Sequence, residues 1–268
     1  MKRIPVSWQN RLLTLLSDLL LLWILLHFGM GGLPGVRALL PLFALSGWAL
    51  LALVLFLLLY RSDYRSDLPL FAAGLALGYW GEWWGTTRGV WIYWNGAQPP
   101  DYLPPLWGLG LVTAFRLSGF WQGWLERAFA RPPARWLSRC LAASFIILPV
   151  AGVLVSLPAL AQVDWSGRLD VHFFAGLLVG AALVVYRFDL RRAFPLYVCG
   201  MLLGGLYEYL GTTFGEWTYL TADQPPLWIV PLWGIACVAM NNLAGLVRQV
   251  IEQGAKAVGR KISLLPLS

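Results

Sequence analysis

The chain has 268 residues, 59% of them hydrophobic and 12% charged, with a formal net charge of +7 and a mean hydropathy of +0.65. A water-soluble domain has about a quarter of its residues charged, so this composition excludes an ordinary soluble fold and points to lipid as the main solvent. The basic residues fall in short clusters between apolar runs, so they read as a topology signal and no nucleic-acid partner is expected.

A membrane-crossing helix takes about 20 mostly apolar residues. Eight stretches qualify in chain order: 12–30, 37–60, 68–87, 104–123, 138–160, 171–186, 194–214 and 228–247. The first follows Lys2, Arg3 and Arg11 but is long for the apolar part of a leader, so it is expected to be retained. Asp18 lies in its inner half, and Arg116 inside the fourth stretch is its expected ion-pair partner. The sixth is short and opens on Asp170 and His172, spaced as a proton relay. Asn242 in the eighth stands where Arg116 stands in the fourth. Cys140, Cys199 and Cys237 form no CxxC pair, and no acidic or histidine cluster stands out, so neither a disulfide framework nor a metal site is expected.

With eight spans, sixteen basic residues fall on the side of the two termini and only Arg37, Arg88 and Arg168 on the other. That asymmetry places both termini in the cytoplasm of a multi-pass protein of the cell (inner or plasma) membrane. Sixteen tryptophans, many near span ends, suit the headgroup region.

Shifted by 126 residues, the chain aligns with itself without a gap. Residues 82–93 and 208–219 share the pattern E-x-x-G-T-T-x-G-x-W-x-Y, and Gln98-Pro99-Pro100 and Trp107 recur as Gln224-Pro225-Pro226 and Trp233. Fifteen of the thirty-one positions from 78 to 108 are identical to their counterparts, against two or three expected by chance, so the duplication is the most specific signal present. The predicted fold is all-α: about eight transmembrane helices in two parallel four-helix repeats, 1–126 and 127–268, forming one membrane domain. An even number of spans per unit relates the halves by an axis along the membrane normal.

Gly74, Gly78, Glu82 and Gly85 fall within roughly an 80° arc of a helix, as do Gly200, Gly204, Glu208 and Gly211. Small residues on one face admit a neighbouring helix, which directs each glutamate toward protein or a cavity. An intramembrane carboxylate needs a partner or a function, so Glu82 and Glu208 are the candidate catalytic acids, with a structural capping role as the competing reading. Thr86, Thr87, Trp91, Tyr93 and Trp107, with their counterparts Thr212, Thr213, Trp217, Tyr219 and Trp233, are candidate substrate-binding residues, the threonine hydroxyls being available either to the carboxylate or to main-chain groups freed at the helix end. An aromatic belt is the alternative for any single tryptophan. Arg88, where the second unit has Phe214, is expected to fold back and keep Glu82 ionised, and Glu216, where the first unit has Val90, to favour the protonated form of Glu208. Glu208 is then the proton donor and Glu82 the base or cation stabiliser.

The run of glutamate, glycines and an aromatic-x-Tyr pair, followed by a Pro- and Trp-bearing span, resembles the membrane-bound carotenoid-biosynthesis family that includes the C50-carotenoid hydratases. The resemblance covers the two duplicated motifs and carries over Glu82, Glu208, Tyr93 and Tyr219. It implies acid-base chemistry at a double bond of an isoprenoid or carotenoid-type lipid, by hydration, cyclisation or isomerisation. An acid in a dry cavity can protonate an alkene and ring faces can stabilise the cation, a lyase or isomerase reaction that needs no cofactor. The alternative is a membrane transporter or lipid-binding carrier with a pseudo-twofold site.

Overall fold

The computed structural model describes residues 8–24, 59, 62–128, 135–186, 188–222 and 224–263. Among these residues the chain is mostly helical, with α1 (Trp8–Ile24), α2 (Tyr64–Thr87), β1 (Trp91–Tyr93), α3 (Leu103–Ala128), α4 (Arg135–Leu160), α5 (Val171–Val185), α6 (Leu190–Thr213), β2 (Trp217–Tyr219) and α7 (Ile229–Ser263). Six predicted spans each fall on one helix, and the first falls on α1 as far as Ile24; residues 25–30 of that span, and the stretch 37–60 but for Leu59, lie outside the described residues. Three helical stretches are long and apolar enough to cross a membrane: Ser138–Leu160, Leu190–Thr213 and Ile229–Gly254. Helices α2 and α3, of 24 and 26 residues, match them in length but carry Asp67, Glu82 and Arg116. Helix α5 is apolar beyond His172, yet its 15 residues reach only about 22 Å, short of a hydrocarbon core of about 30 Å.

Helices α2 and α6 are built alike. Asp63 and Asp189 cap their first turns, accepting hydrogen bonds from the main-chain N–H groups of Arg65 and Arg191. Both helices end at the Gly-Thr-Thr-x-Gly run. The amides of Arg88 and Phe214 close onto the last carbonyls, and Gly89 (φ 62°) and Gly215 (φ 71°) take the left-handed turn. The amides of Val90 and Glu216 then return to the carbonyls of Gly85 and Gly211 at 2.8 and 2.9 Å.

These turns launch two three-residue strands that pair antiparallel, Trp91 with Tyr219, Ile92 with Thr218 and Tyr93 with Trp217. The register is symmetric under exchange of equivalent residues, so a local twofold axis passes through the Ile92–Thr218 pair. The flanking bonds obey it: Trp94 donates to the carbonyl of Glu216 and Leu220 to that of Val90, each at 3.0 Å. Sequence periodicity does not reveal these strands, because three residues are too few to show an alternation.

Helix α2 packs on α3 and α6 on α7, with crosswise contacts of α3 to α6 and α2 to α7. The glycine stripes let the backbones meet. A Cβ added to Gly74 would stand 2.8 Å from Cα of Gly108, and one on Gly200 would stand 3.0 Å from Cα of Gly234. Leu70, Val112, Leu196, Tyr197, Val238 and Met240 fill the core between the four helices. Helices α4 and α5 lie outside this group and turn large apolar side chains outward, with Ile146 69%, Val155 65% and Leu178 72% exposed.

One buried ion pair corrects the sequence expectation. Arg116 bonds Asp67 of α2 at 2.6 Å, with both side chains buried, whereas Asp18 accepts from the Ser62 hydroxyl at 2.7 Å. Asp67 faces α3 directly across the α2–α3 contact, while the main contact of α1 among the described helices is with α2. The counterpart of Asp67 is Ala193, and Asn242 in place of Arg116 donates to the carbonyls of Leu183 and Tyr186 at 2.8 and 3.1 Å, capping the end of α5.

Candidate functional site

Each glutamate is gripped by three neutral donors. Glu82 Oε2 accepts from Trp91 Nε1 at 2.9 Å and from the Tyr93 hydroxyl at 3.0 Å, and Oε1 accepts from Trp107 Nε1 at 2.9 Å. Glu208 repeats this with Trp217 Nε1 at 3.0 Å, Tyr219 at 2.9 Å and Trp233 Nε1 at 2.9 Å. Strand geometry explains the W-x-Y spacing: side chains two apart point to one face, so the tryptophan and tyrosine of each strand reach inward while Ile92, 59% exposed, points out. Glycine makes room for the clamp. A Cβ on Gly85 would overlap the Trp91 ring, one on Gly211 the Trp217 ring, and ones on Gly78 and Gly204 the rings of Trp107 and Trp233.

The two clamps interlock across the local axis. Trp107 stacks on Trp233, centroids 3.9 Å apart and planes 8° from parallel. The Trp91–Tyr219 and Tyr93–Trp217 pairs lie at 5.8 and 5.7 Å, both at 56°. The four residues of each clamp, Glu82 with Trp91, Tyr93 and Trp107 and Glu208 with Trp217, Tyr219 and Trp233, line one cavity of about 490 Å³. The segment 161–170 with α4 and α5 closes its wall through Val153, Leu160, Trp165, Leu169, Phe173 and Leu177. Among the described residues, no lysine, arginine or histidine lines it.

An indole N–H donates and never accepts, so the clamp requires acceptor oxygens and binds a carboxylate with all of its donors used. Oε2 takes two bonds but Oε1 only one, leaving Oε1 a lone pair on which a proton can sit while all three bonds persist. The site is therefore able to gain and lose a proton without moving its frame.

The threonines do not join this arrangement; of the two roles open to their hydroxyls, they take the main-chain one. Thr86 and Thr212 donate to the main-chain carbonyls of Glu82 and Glu208 at 2.6 and 2.7 Å, and Thr87 to that of Trp83 at 2.6 Å; Thr213 is exposed. Threonine in a helix commonly bonds back to a carbonyl of the preceding turn, and here the bonds tighten the last turn under each glutamate. Arg88 departs too: it bonds Asp170, not Glu82. The Phe173 amide foremost, with His172 and Arg88, holds Asp170 down at about 2. Asp170 caps α5 by accepting from the amides of His172 and Phe173, each at 3.0 Å, so the Asp170–His172 pair joins the 88–90 turn to α5 and stands apart from the cavity lining. The charge difference expected between the two glutamates through Arg88 is not present.

Trp84, Tyr207 and Trp228 also line the cavity and were not singled out by sequence. Their counterparts are Leu210, Gly81 and Tyr102, so the duplication carries no signal for them. Among the described residues, no three His, Cys, Asp or Glu side chains converge on a metal-sized site.

No protein-family pattern, curated protein or solved structure matches the chain.

Proposed function

We propose that the chain is an integral membrane enzyme performing acid-base chemistry at a double bond of an isoprenoid or carotenoid-type lipid. The single observation that carries this reading is the pair of triply clamped carboxylates lining one apolar, aromatic cavity. In this reading the protein is a cell-membrane domain of eight transmembrane helices, two parallel units (1–126 and 127–268), with both termini cytoplasmic. A carboxyl protonated at Oε1 delivers its proton to one alkene carbon, and the π pair becomes the new C–H bond. The positive charge left on the other carbon faces indole and phenol rings, which stabilise it. The second carboxylate then takes a proton from an adjacent carbon, giving an isomerised or cyclised alkene, or from an attacking water, giving an alcohol. The absence of basic side chains from the lining fits a neutral lipid better than a phosphorylated one.

A second reading, a lipid-binding carrier, is favoured by the completeness of the clamps, since a fully hydrogen-bonded carboxylate also serves as a brace. The two separate experimentally. Purified protein in nanodiscs is incubated with a neutral isoprenoid lipid fraction, and bound and released lipids are analysed by mass spectrometry. Conversion by the wild type and its loss in folded Glu82→Gln or Glu208→Gln supports the enzyme. Lipid recovered unchanged, with equal binding by the variants, supports the carrier.

A further inference from the structure

Two carboxylates share the cavity, and among the described residues the side chains lining it carry no positive charge. Their six donors are four indoles and two phenols, which hold a negative charge in place without neutralising it. A metal ion is a poor counter-charge here, because the lining offers it no imidazole, thiolate or third carboxylate. The remaining lining is aliphatic or aromatic, including Trp84, Trp165, Phe173 and Trp228, and ring faces are attractive to a cation. A volume of about 490 Å³ suits a small organic group and part of a hydrocarbon chain.

We propose that this cavity is a binding site for lipophilic organic cations, with a quaternary ammonium or phosphonium centre between Glu82 and Glu208 and its apolar substituents against the tryptophans. The inference deepens the reading above by naming the charge of the species the site favours; a stable cation would occupy the place of the transient one. It does not require turnover, so the two ideas fail separately.

The test uses the full chain in zwitterionic-lipid nanodiscs and two probes, hexadecyltrimethylammonium and its neutral isostere with carbon in place of nitrogen. Binding is read from quenching of tryptophan fluorescence by brominated forms of both probes, after subtraction of empty nanodiscs. The expected result is about tenfold tighter binding of the cation, with the preference reduced in Glu82→Gln and Glu208→Gln and abolished in the double variant. Equal binding of the two probes by the wild type overturns the proposal, and so does a full preference retained by a folded double variant. If the double variant does not fold, the wild-type comparison decides alone. Cation binding that inhibits lipid conversion fits the enzyme, whereas cation binding without any conversion removes the enzyme reading and leaves the cation site standing.

Discussion

At the scale of single residues, Glu82 and Glu208 are held by groups that donate hydrogen bonds but bring no charge. Hydrogen bonds to a carboxylate are about twice as strong as neutral ones, and removing one leaves a buried oxygen undersupplied. Trp107→Phe keeps a smaller aromatic face for the Trp233 stack and deletes the donor to Oε1 of Glu82 together with one ring's packing. It should cost about 1–3 kcal/mol, read as a lowered thermal midpoint in detergent, and Trp233→Phe should match it because the contact is duplicated. Midpoints that do not move would show that the clamp contributes nothing to stability. The glutamates, tryptophans and tyrosines of this site were legible in the sequence because each occurs twice at one spacing. Trp84, Tyr207 and Trp228 were not, since a residue without a counterpart is one aromatic among many. The threonines recur equally well and still misled, because recurrence marks a position without saying whether its side chain bonds a ligand or its own helix.

At the scale of elements, the stripes of glycine and glutamate foretold which faces of α2 and α6 meet their neighbours, and the Gly-Thr-Thr-x-Gly run foretold where they end. The strands were not foretold, although they carry the W-x-Y spacing that aims two donors at one carboxylate. Arg116 was paired in sequence with Asp18, the acid within the first span. Asp67, at the start of α2 and replaced by Ala193 in the second unit, drew no attention, yet α2 and α3 press it against the guanidinium. Breaking a buried pair leaves a charge without compensation, so Arg116→Met should cost about 3–5 kcal/mol. The double variant Asp67→Leu with Arg116→Met should recover most of that loss in a thermal or denaturant-unfolding cycle. A double variant no more stable than Arg116→Met would mean that the two charges are held by other partners independently.

At the scale of the whole molecule, composition and charge distribution indicated a membrane protein, and three helices meet the length and apolarity of a span. Helices α1 and α5, of 17 and 15 residues, fall short of that length, and α2 and α3 carry Asp67, Glu82 and Arg116 among their apolar residues. The proposed orientation is open to direct test: single cysteines at Ala97 and Ala222 in a cysteine-free background should react with an impermeant maleimide from outside intact cells, and a cysteine at Gln253 should not. Reaction of the first two only after lysis would reverse the topology. The local twofold through Ile92 and Thr218 has one more consequence. A rod-shaped ligand whose ends are chemically alike can enter this cavity in two opposite senses and meet the same pair of carboxylates each time. A ligand with a single matching end also has two placements, one on each carboxylate, so the two-ended ligand gains no statistical advantage from the axis; it gains by engaging both carboxylates at once. The unmatched side chains Trp84, Tyr207 and Trp228 work against that degeneracy, so the same pocket that welcomes either end of a palindromic molecule sets a preferred heading for a lopsided one.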